Sequence, residues 1–140
     1  MLTVSLVQDY FETMTCLLSD QNINVDPRTN EFVGMTEQIV DSAEMLLKVC
    51  KIINDKRITV KTGMNETSSR SHFLCRLKLY RKDGDKFKAN HIQFLDMAGS
   101  EKIAKSGVQP GTEAYFQSLY ANFSLAKFAE ILCNMEAHPK

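Results

Sequence analysis

Two runs of strand-forming residues joined by a tight-turn signal constrain the fold of this chain most strongly. In residues 72–81, apolar side chains occupy every second position from Phe73, which is the period of a strand with one buried face. A second apolar-rich run covers residues 86–95, and Asp83-Gly84 before it favours a hairpin turn. The sequence therefore predicts a β-hairpin that brings the start of the first strand beside the end of the second.

Several shorter elements are predicted before this hairpin. Residues 2–10 are apolar and rich in β-forming side chains, which predicts a strand, and residues 11–18 fit a short helix. Residues 21–38 are interpreted as loops and short strands. The turn signals bounding these segments are Ser19-Asp20, Asp26-Pro27 and Gly34. Because the chain opens directly inside a predicted strand, we expect it to be a piece of a larger domain.

Two helices complete the predicted elements. Residues 41–54 have helical spacing, with Asp41 as the N-cap and Glu44 three residues on in a capping-box arrangement. The apolar positions of this helix are Ala43, Leu46, Leu47, Cys50 and Ile53, and Asn54-Asp55-Lys56-Arg57 closes it. Residues 113–136 are predicted to form the second helix. Its expected core stripe is Leu125, Phe128, Ile131 and Leu132.

Composition and charge exclude several classes of protein. The 140 residues are 44% apolar and 24% charged, which is the balance of a globular domain. The formal net charge is zero, which argues against non-specific nucleic-acid binding. No apolar run approaches the roughly 18 residues of a transmembrane helix, so no membrane insertion is expected. The four cysteines form no CxxC pair, which indicates reduced thiols in a cytosolic protein.

A polar segment, NETSSRSH at residues 65–72, comes just before the predicted hairpin. It places four hydroxyl groups, an amide and a guanidinium within eight residues and offers no apolar anchor. Donors at this density fit phosphate oxygens, a hydrated Mg²⁺ and an attacking water. The alternative interpretation is a polar, serine-rich turn leading into a strand.

A second segment, FLDMAGSE at residues 94–101, ends the hairpin's other strand. Its apolar strand delivers Asp96 to the sheet edge, where a carboxylate holds Mg²⁺ through water in many nucleotide-hydrolysing enzymes. Gly99 lets its backbone N–H approach a terminal phosphate, and Glu101 is close enough in sequence to face Arg70 as a charge pair that closes the site. The alternative is a strand ending in an Asx-type turn.

Together these segments resemble the two nucleotide-sensing switches of the kinesin motor family. Residues 65–72 match N-x-x-S-S-R-S-H at every fixed position, and residues 96–101, DMAGSE, match D-L-A-G-S-E with one apolar exchange. Three flanking segments are similar as well, namely VSLV at 4–7, GMTE at 34–37 and NFSL at 122–125. The resemblance implies an α/β fold of P-loop NTPase type, with a central, mostly β-sheet core and flanking helices. Residues 1–140 are then an incomplete, central portion of a motor domain.

The resemblance also implies a role for each site residue. Nucleotide binding is implied for Asn65, Ser68, Ser69, Asp96 and Gly99, with Ser69 and Asp96 on Mg²⁺, partly through water. Catalytic roles are implied for Ser69, Arg70, Gly99 and Glu101, the Arg70–Glu101 pair being the salt bridge that closes the site. Lys102, Lys105 and Lys127 are the candidates for contact with acidic tubulin, the alternative being ordinary solvated lysines.

The implied cofactors are ATP and Mg²⁺, the implied partner is the microtubule, and the implied location is the cytoplasmic cytoskeleton. The family pattern allows a dimerisation partner through a stalk outside this sequence. One departure is large: no G-x-x-x-x-G-K-[ST] occurs, and none of the six glycines precedes a lysine. That loop supplies much of the phosphate affinity in such enzymes, so this chain alone is expected to be inactive.

Three functional hypotheses follow. The first is a microtubule-based motor ATPase, present here as a fragment. The second is a non-catalytic kinesin-like module that binds microtubules or a partner kinesin without ATP turnover. The third is a small GTPase-like switch protein, which needs both a P-loop and an N-K-x-D motif, and this sequence contains neither.

Overall fold

The computed structural model describes residues 1–11, 13–59, 70–100 and 109–137, with the side chains of 57–59 and 135–137 left aside. In this part of the chain, seven strands form one curled sheet in the order β4-β3-β2-β1-β6-β7, with β5 also paired to β1. Its strands pair antiparallel throughout. The elements are β1 Leu2–Tyr10, β2 Thr13–Cys16, β3 Asn22–Val25, β4 Phe32–Val33, β5 Gln38–Val40, α1 Ala43–Thr59, β6 His72–Asp83, β7 Lys86–Asp96 and α2 Glu113–Ala137. A sheet with flanking helices confirms the α/β class.

The predicted hairpin is confirmed. Strands β6 and β7 pair in continuous register from Phe73 opposite Asp96 to Asp83 opposite Lys86. Gly84 lies in the turn with a φ of 62°, which glycine adopts without a steric penalty. The register leaves the start of β6 and the end of β7 as neighbours at one edge of the sheet.

The predicted short helix at residues 11–18 is wrong, because Thr13–Cys16 is strand β2. It pairs with β1 from Val7 opposite Cys16 to Tyr10 opposite Thr13, and Phe11 begins the turn with a φ of 44°. Pairing with β1 buries Cys16 completely beside Val7 and Ile23. The tertiary contact therefore outweighs the local helical spacing.

The core lies on both sides of β1. One cluster packs against α1 and the other against β2 and β3. Their buried members are Val4, Leu6, Leu17, Val49 and Phe73 in the first, and Val7, Cys16 and Ile23 in the second. Strand β1 is buried from Thr3 to Val7 because it has strands on both edges and side chains covering both faces.

Helix α1 exists as predicted but differs in its start, end and buried face. Ser42 is the N-cap, since its Oγ accepts a hydrogen bond from the Met45 N–H at 3.2 Å and its carbonyl accepts one from Leu46. The predicted cap, Asp41, is therefore one residue too early. The helix continues through the predicted stop at residues 54–57 to Thr59.

The apolar face predicted for α1 is also wrong. Leu47 is 70% exposed and Leu46 is 44% exposed, whereas Val49 is buried in the core. The face on the sheet carries Val49 with Ile52 and Ile53 packed beside it. Two apolar stripes compete in this sequence, and only contact with the sheet decides between them.

Helix α2 begins and ends within one residue of its predicted bounds. Leu125 and Phe128 of the predicted core stripe are half-buried, but Ile131 and Leu132 are 55% and 46% exposed. The stripe is therefore correct only in its first half. No helix in the described part of the chain is long and apolar enough to cross a membrane.

Candidate functional site at the sheet edge

The hairpin register builds the candidate site. Residues 70–71 lead into β6 and residues 97–100 follow β7, and both segments leave the sheet at the edge where Phe73 faces Asp96. Asp96 and Gly99 are exposed, Arg70 is half-buried and Ala98 is buried. The structure thus brings the described part of the first switch-like segment beside the described part of the second.

His72 joins these segments to α2. Its Nδ1 accepts a hydrogen bond from the Ala98 backbone N–H at 3.1 Å, and its Nε2 lies 2.7 Å from Ser124 Oγ. His72 and Ala98 are both buried. No role is predicted for His72 beyond its place in the motif, and the signal in the sequence is a histidine that opens a strand directly after the polar segment.

Arg70 also reaches α2. Its guanidinium NH1 donates to Gln117 Oε1 at 3.2 Å, and the Gln117 amide donates to Glu113 Oε1 at 2.8 Å, one turn earlier on the helix. The Arg70 Nε is buried and makes no hydrogen bond within the described residues. The predicted partner Glu101 lies outside those residues, so the Arg70–Glu101 salt bridge stays a prediction.

Two further groups of β1 complete this contact. Burial raises the pKa of Asp9, and the charge of His72 and a hydrogen bond from Tyr120 only partly offset the effect. Burial and nearby Glu113 raise the pKa of Tyr10, against smaller opposing effects of Arg70 and of a hydrogen bond with Gln117. Ionisable groups of β1 are thus embedded where α2 meets the sheet.

We call this contact the polar seam. Its members come from β1, from the segment entering β6, from β6 itself and from one face of α2. They are Asp9, Arg70, His72, Gln117, Tyr120 and Ser124. A contact made of directional hydrogen bonds fixes orientation strongly, but each bond adds only about 1 kcal/mol to stability.

A cavity of about 230 Å³ lies beside the polar seam. Its walls are mostly apolar side chains of the sheet and Phe128 of α2, and Asp9, His72 and Ser124 supply the polar groups. The cavity therefore adjoins the seam, whereas Asp96 and Gly99 do not line it.

The remaining predicted site residues divide into two groups. Those outside the described residues are Asn65, Ser68, Ser69, Glu101, Lys102 and Lys105. Lys127 is described: it is exposed on α2, pairs with Glu130 at 2.8 Å and has its Nζ 6.0 Å from the centre of the Phe123 ring. It lies three residues beyond Ser124, so it belongs to the same helix as the polar seam but is no part of the seam.

The described residues at this edge suit a hydrated metal ion better than a directly ligated one. They include no group of three or more His, Cys, Asp or Glu side chains arranged to hold a metal directly. The exposed Asp96 carboxylate and the side-chain-free Gly99 backbone are nevertheless suited to a hydrated Mg²⁺ and a terminal phosphate oxygen. The donors present thus fit a metal held partly through water.

Comparison with known proteins shows the family to which the chain belongs. A family model described as the kinesin motor domain matches residues 1–138. The kinesin heavy chain of Botryotinia fuckeliana is 30% identical over 139 residues, which cover 94% of this chain and 16% of that protein. The chain therefore spans only a small part of the curated relative that it matches.

Solved structures show the same similarity. A fast kinesin superposes with a TM-score of 0.69 at 26% identity, over 84% of this chain and 35% of the other. A KIF14 dimer, solved with AMP-PNP in complex with a microtubule, gives a TM-score of 0.71 at 23% identity, over 91% and 39% of the two chains, and supports the fold alone. With a family match over nearly every residue, this chain belongs to the kinesin motor domain family.

Proposed function

We propose that this chain is the nucleotide-sensing and track-facing portion of an ATP-driven microtubule motor. The observation that carries the proposal is the β6–β7 register, which leads Arg70 and the Asp96–Gly99 segment to one edge of the sheet. Family membership supports the same reading of that edge. ATP hydrolysis, Mg²⁺ use and microtubule binding are proposals for the whole protein, because the chain spans a small part of its relatives.

At this edge, Asp96 would hold Mg²⁺ through water and Gly99 would offer its backbone N–H to the terminal phosphate. Ser68 and Ser69 would supply hydroxyl groups to the metal, the phosphate and the attacking water, and Asn65 would contact the nucleotide. These roles follow from the hydrogen-bonding and metal-binding capacity of each group. Bound Mg-ATP would supply the phosphoryl group whose loss changes the contacts at the edge.

Closure of the site would depend on Arg70. In the described residues its guanidinium reaches Gln117 of α2, and its Nε has no hydrogen-bond partner there. A buried guanidinium N–H without an acceptor lowers the stability of the fold, so a carboxylate such as that of Glu101 would be a favourable partner. If Arg70 exchanged the Gln117 amide for the Glu101 carboxylate, closure of the site would change the contact between Arg70 and α2.

The output would come from α2. It carries Lys127 on its exposed surface, and the segment before it contains Lys102 and Lys105. Positive side chains in this region would meet the acidic microtubule surface, and their attraction should weaken with salt. The proposed location is accordingly the microtubule cytoskeleton.

The experiment is microtubule-stimulated ATP hydrolysis by the full-length gene product. Arg70→Ala should lower stimulated turnover at least tenfold, whereas Arg81→Ala, a matched change at an exposed arginine of β6, should leave it within about twofold. If the full-length protein neither hydrolyses ATP nor leaves microtubules when ATP is added, the motor proposal fails.

A second candidate is a kinesin-like module that binds microtubules or a partner kinesin without turnover. The observation in its favour is the lack of a G-x-x-x-x-G-K-[ST] motif among these 140 residues. Calorimetry of the full-length protein with Mg-ATP separates the candidates. Heat of binding together with turnover supports the motor, whereas microtubule binding without measurable nucleotide binding supports the inert module.

A further inference from the structure

We infer that His72 is a positioning residue that couples the Asp96–Gly99 segment to helix α2, and that it does so as the neutral tautomer carrying its proton on Nε2. The inference deepens the proposed function, on which it rests, by assigning the link between nucleotide edge and output helix to one side chain. The carrying observation is that one imidazole contacts Ala98 through Nδ1 and Ser124 through Nε2.

The hydrogen-bond partners fix the tautomer. The Ala98 contact comes from a backbone N–H, which only donates, so Nδ1 must be an unprotonated acceptor. The Ser124 hydroxyl has one proton, and it points to the Ala121 carbonyl at 2.8 Å. Ser124 Oγ therefore accepts at its other contact, and His72 Nε2 must donate. An imidazolium would place a second N–H against the Ala98 N–H and break that link.

The surroundings of His72 are consistent with a neutral ring. Asp9 of β1 lies directly opposite His72 in the sheet register and is the charged group facing it among the described elements packed there. A charged ring would attract an ionised Asp9, but burial is the largest effect on the pKa of this carboxyl, raises it, and so opposes that pairing. Among the described residues, the groups of α2 that contact Asp9 and His72 are the hydroxyl groups of Tyr120 and Ser124, which carry no charge.

The two hydrogen bonds of His72 connect the Asp96–Gly99 segment to α2 through a single side chain. The His72 backbone is held in β6 by pairing with Asp9 near the end of β1, and the next residue, Phe73, belongs to the first core cluster, so the ring stands on a strand anchored in the core. Ala98 lies between Asp96 and Gly99, and Ser124 lies near the middle of α2. A displacement of the Ala98 backbone must therefore lengthen one of the two bonds or carry Ser124 with it.

The test separates the two arms of the imidazole in the full-length protein. His72→Asn keeps an acceptor near the position of Nδ1 and loses the donor to Ser124, whereas His72→Gln keeps a donor near Nε2 and loses the acceptor for Ala98. Ser124→Ala removes the helix arm without touching the strand. Its matched control is Ser118→Ala, because Ser118 is buried on the same helix and makes the same hydroxyl bond, to the Ala114 carbonyl at 2.8 Å, without a histidine contact in the described residues.

We expect Ser124→Ala and both His72 variants to lower the ratio of microtubule-stimulated to basal ATP turnover roughly three- to tenfold, the range of one lost hydrogen bond. Ser118→Ala should leave that ratio unchanged. An unchanged ratio in Ser124→Ala, or an equal fall in Ser118→Ala, overturns the coupling role. Ser124→Ala serves as the second variant should a His72 variant fold poorly.

A spectroscopic readout distinguishes failure of this inference from failure of the proposed function. Selective ¹⁵N labelling of histidine should show His72 with a protonated Nε2 and a hydrogen-bonded, unprotonated Nδ1 at neutral pH, and Ser124→Ala should perturb the Nε2 signal. A protein with no ATP turnover but this spectrum refutes the motor and the coupling while keeping the tautomer. An active motor with an Nδ1–H or doubly protonated His72 refutes the inference and keeps the motor.

Discussion

The two sides of this sheet are held by different forces. Around β1, Val4, Leu6 and Cys16 are at most 1% exposed, and the side chains of α1 and β2 close over them. Away from this core, β7 is exposed along its whole length, and α2 meets the ends of β1 and β6 through the polar seam and the adjoining cavity. Buried apolar area fixes geometry because every displacement opens a cavity, whereas single hydrogen bonds can exchange partners.

This contrast indicates where the molecule can move at a low cost in free energy. Breaking one seam bond costs about 1 kcal/mol when water or another group replaces the partner, but uncovering a core leucine costs several. A chain that senses a nucleotide at the end of β7 and responds through α2 would need seam bonds that break more easily than the core opens. The packed side would then act as the fixed frame.

The largest expected effect concerns the packed side of the sheet. Leu6→Ala should lower the free energy of unfolding by about 2–5 kcal/mol, because Leu6 is fully buried in the first core cluster. Ile92→Ala on β7 should cost less than about 1 kcal/mol, because Ile92 is 62% exposed. Denaturant unfolding of the full-length protein measures both, and equal losses would remove the distinction between the two sides.

The next prediction concerns a hydrogen-bonded polar cluster on the packed side of the sheet. Glu37 accepts hydrogen bonds from Thr3 and Tyr80, each at 3.0 Å, and pairs with Lys78. Glu37→Gln should cost about 1–3 kcal/mol, because three donors lose a charged acceptor. Glu31→Gln, the same change at an exposed residue, is the control and should change stability by less than about 0.5 kcal/mol.

The same glutamate predicts a pH dependence. Burial alone raises the pKa of Glu37, but the hydrogen bonds from Lys78, Thr3 and Tyr80 outweigh burial and leave the pKa lowered. A lowered folded-state pKa gives stability that is present above the unfolded value and lost as pH falls through the folded one. The stability curves of wild type and Glu37→Gln should therefore converge in acid, and parallel curves would contradict the cluster.

A smaller effect distinguishes the observed helix start from the predicted one. Ser42→Ala should cost about 1 kcal/mol, because the Met45 N–H loses its acceptor at the start of α1. Asp41→Ala should change stability by less than about 0.5 kcal/mol. The reverse order, measured by thermal unfolding, would restore Asp41 as the cap.

The smallest effect tests the seam through Asp9. Burial raises its pKa, so its contribution to stability is full below the unfolded value and is lost as pH rises through the folded one. Asp9→Asn stays neutral and should gain up to about 1 kcal/mol over wild type at neutral pH, with no gain in acid. A wild type that is more stable at neutral pH would show that Asp9 is a needed charge.

The elements that sequence reasoning predicted well share a local cause. The β6–β7 hairpin follows from strict alternation and an Asp83-Gly84 turn, and α2 follows from a long helical spacing. The errors at residues 11–18 and on the buried face of α1 share a non-local cause, since contact with β1 decides both. The contacts of His72 could not be predicted from the sequence, because Ala98 and Ser124 lie 26 and 52 residues away in the chain.

Hydrogen exchange in the full-length protein, compared between the ADP state and a non-hydrolysable ATP analogue with Mg²⁺, measures whether the seam moves while the core of the sheet stays fixed. We expect a change of protection at the Ala98 amide and in the first half of α2, with the amides of β1 and β2 unchanged. Identical protection in both states at Ala98 and α2, or a change spread evenly through β1 and β2, would contradict it.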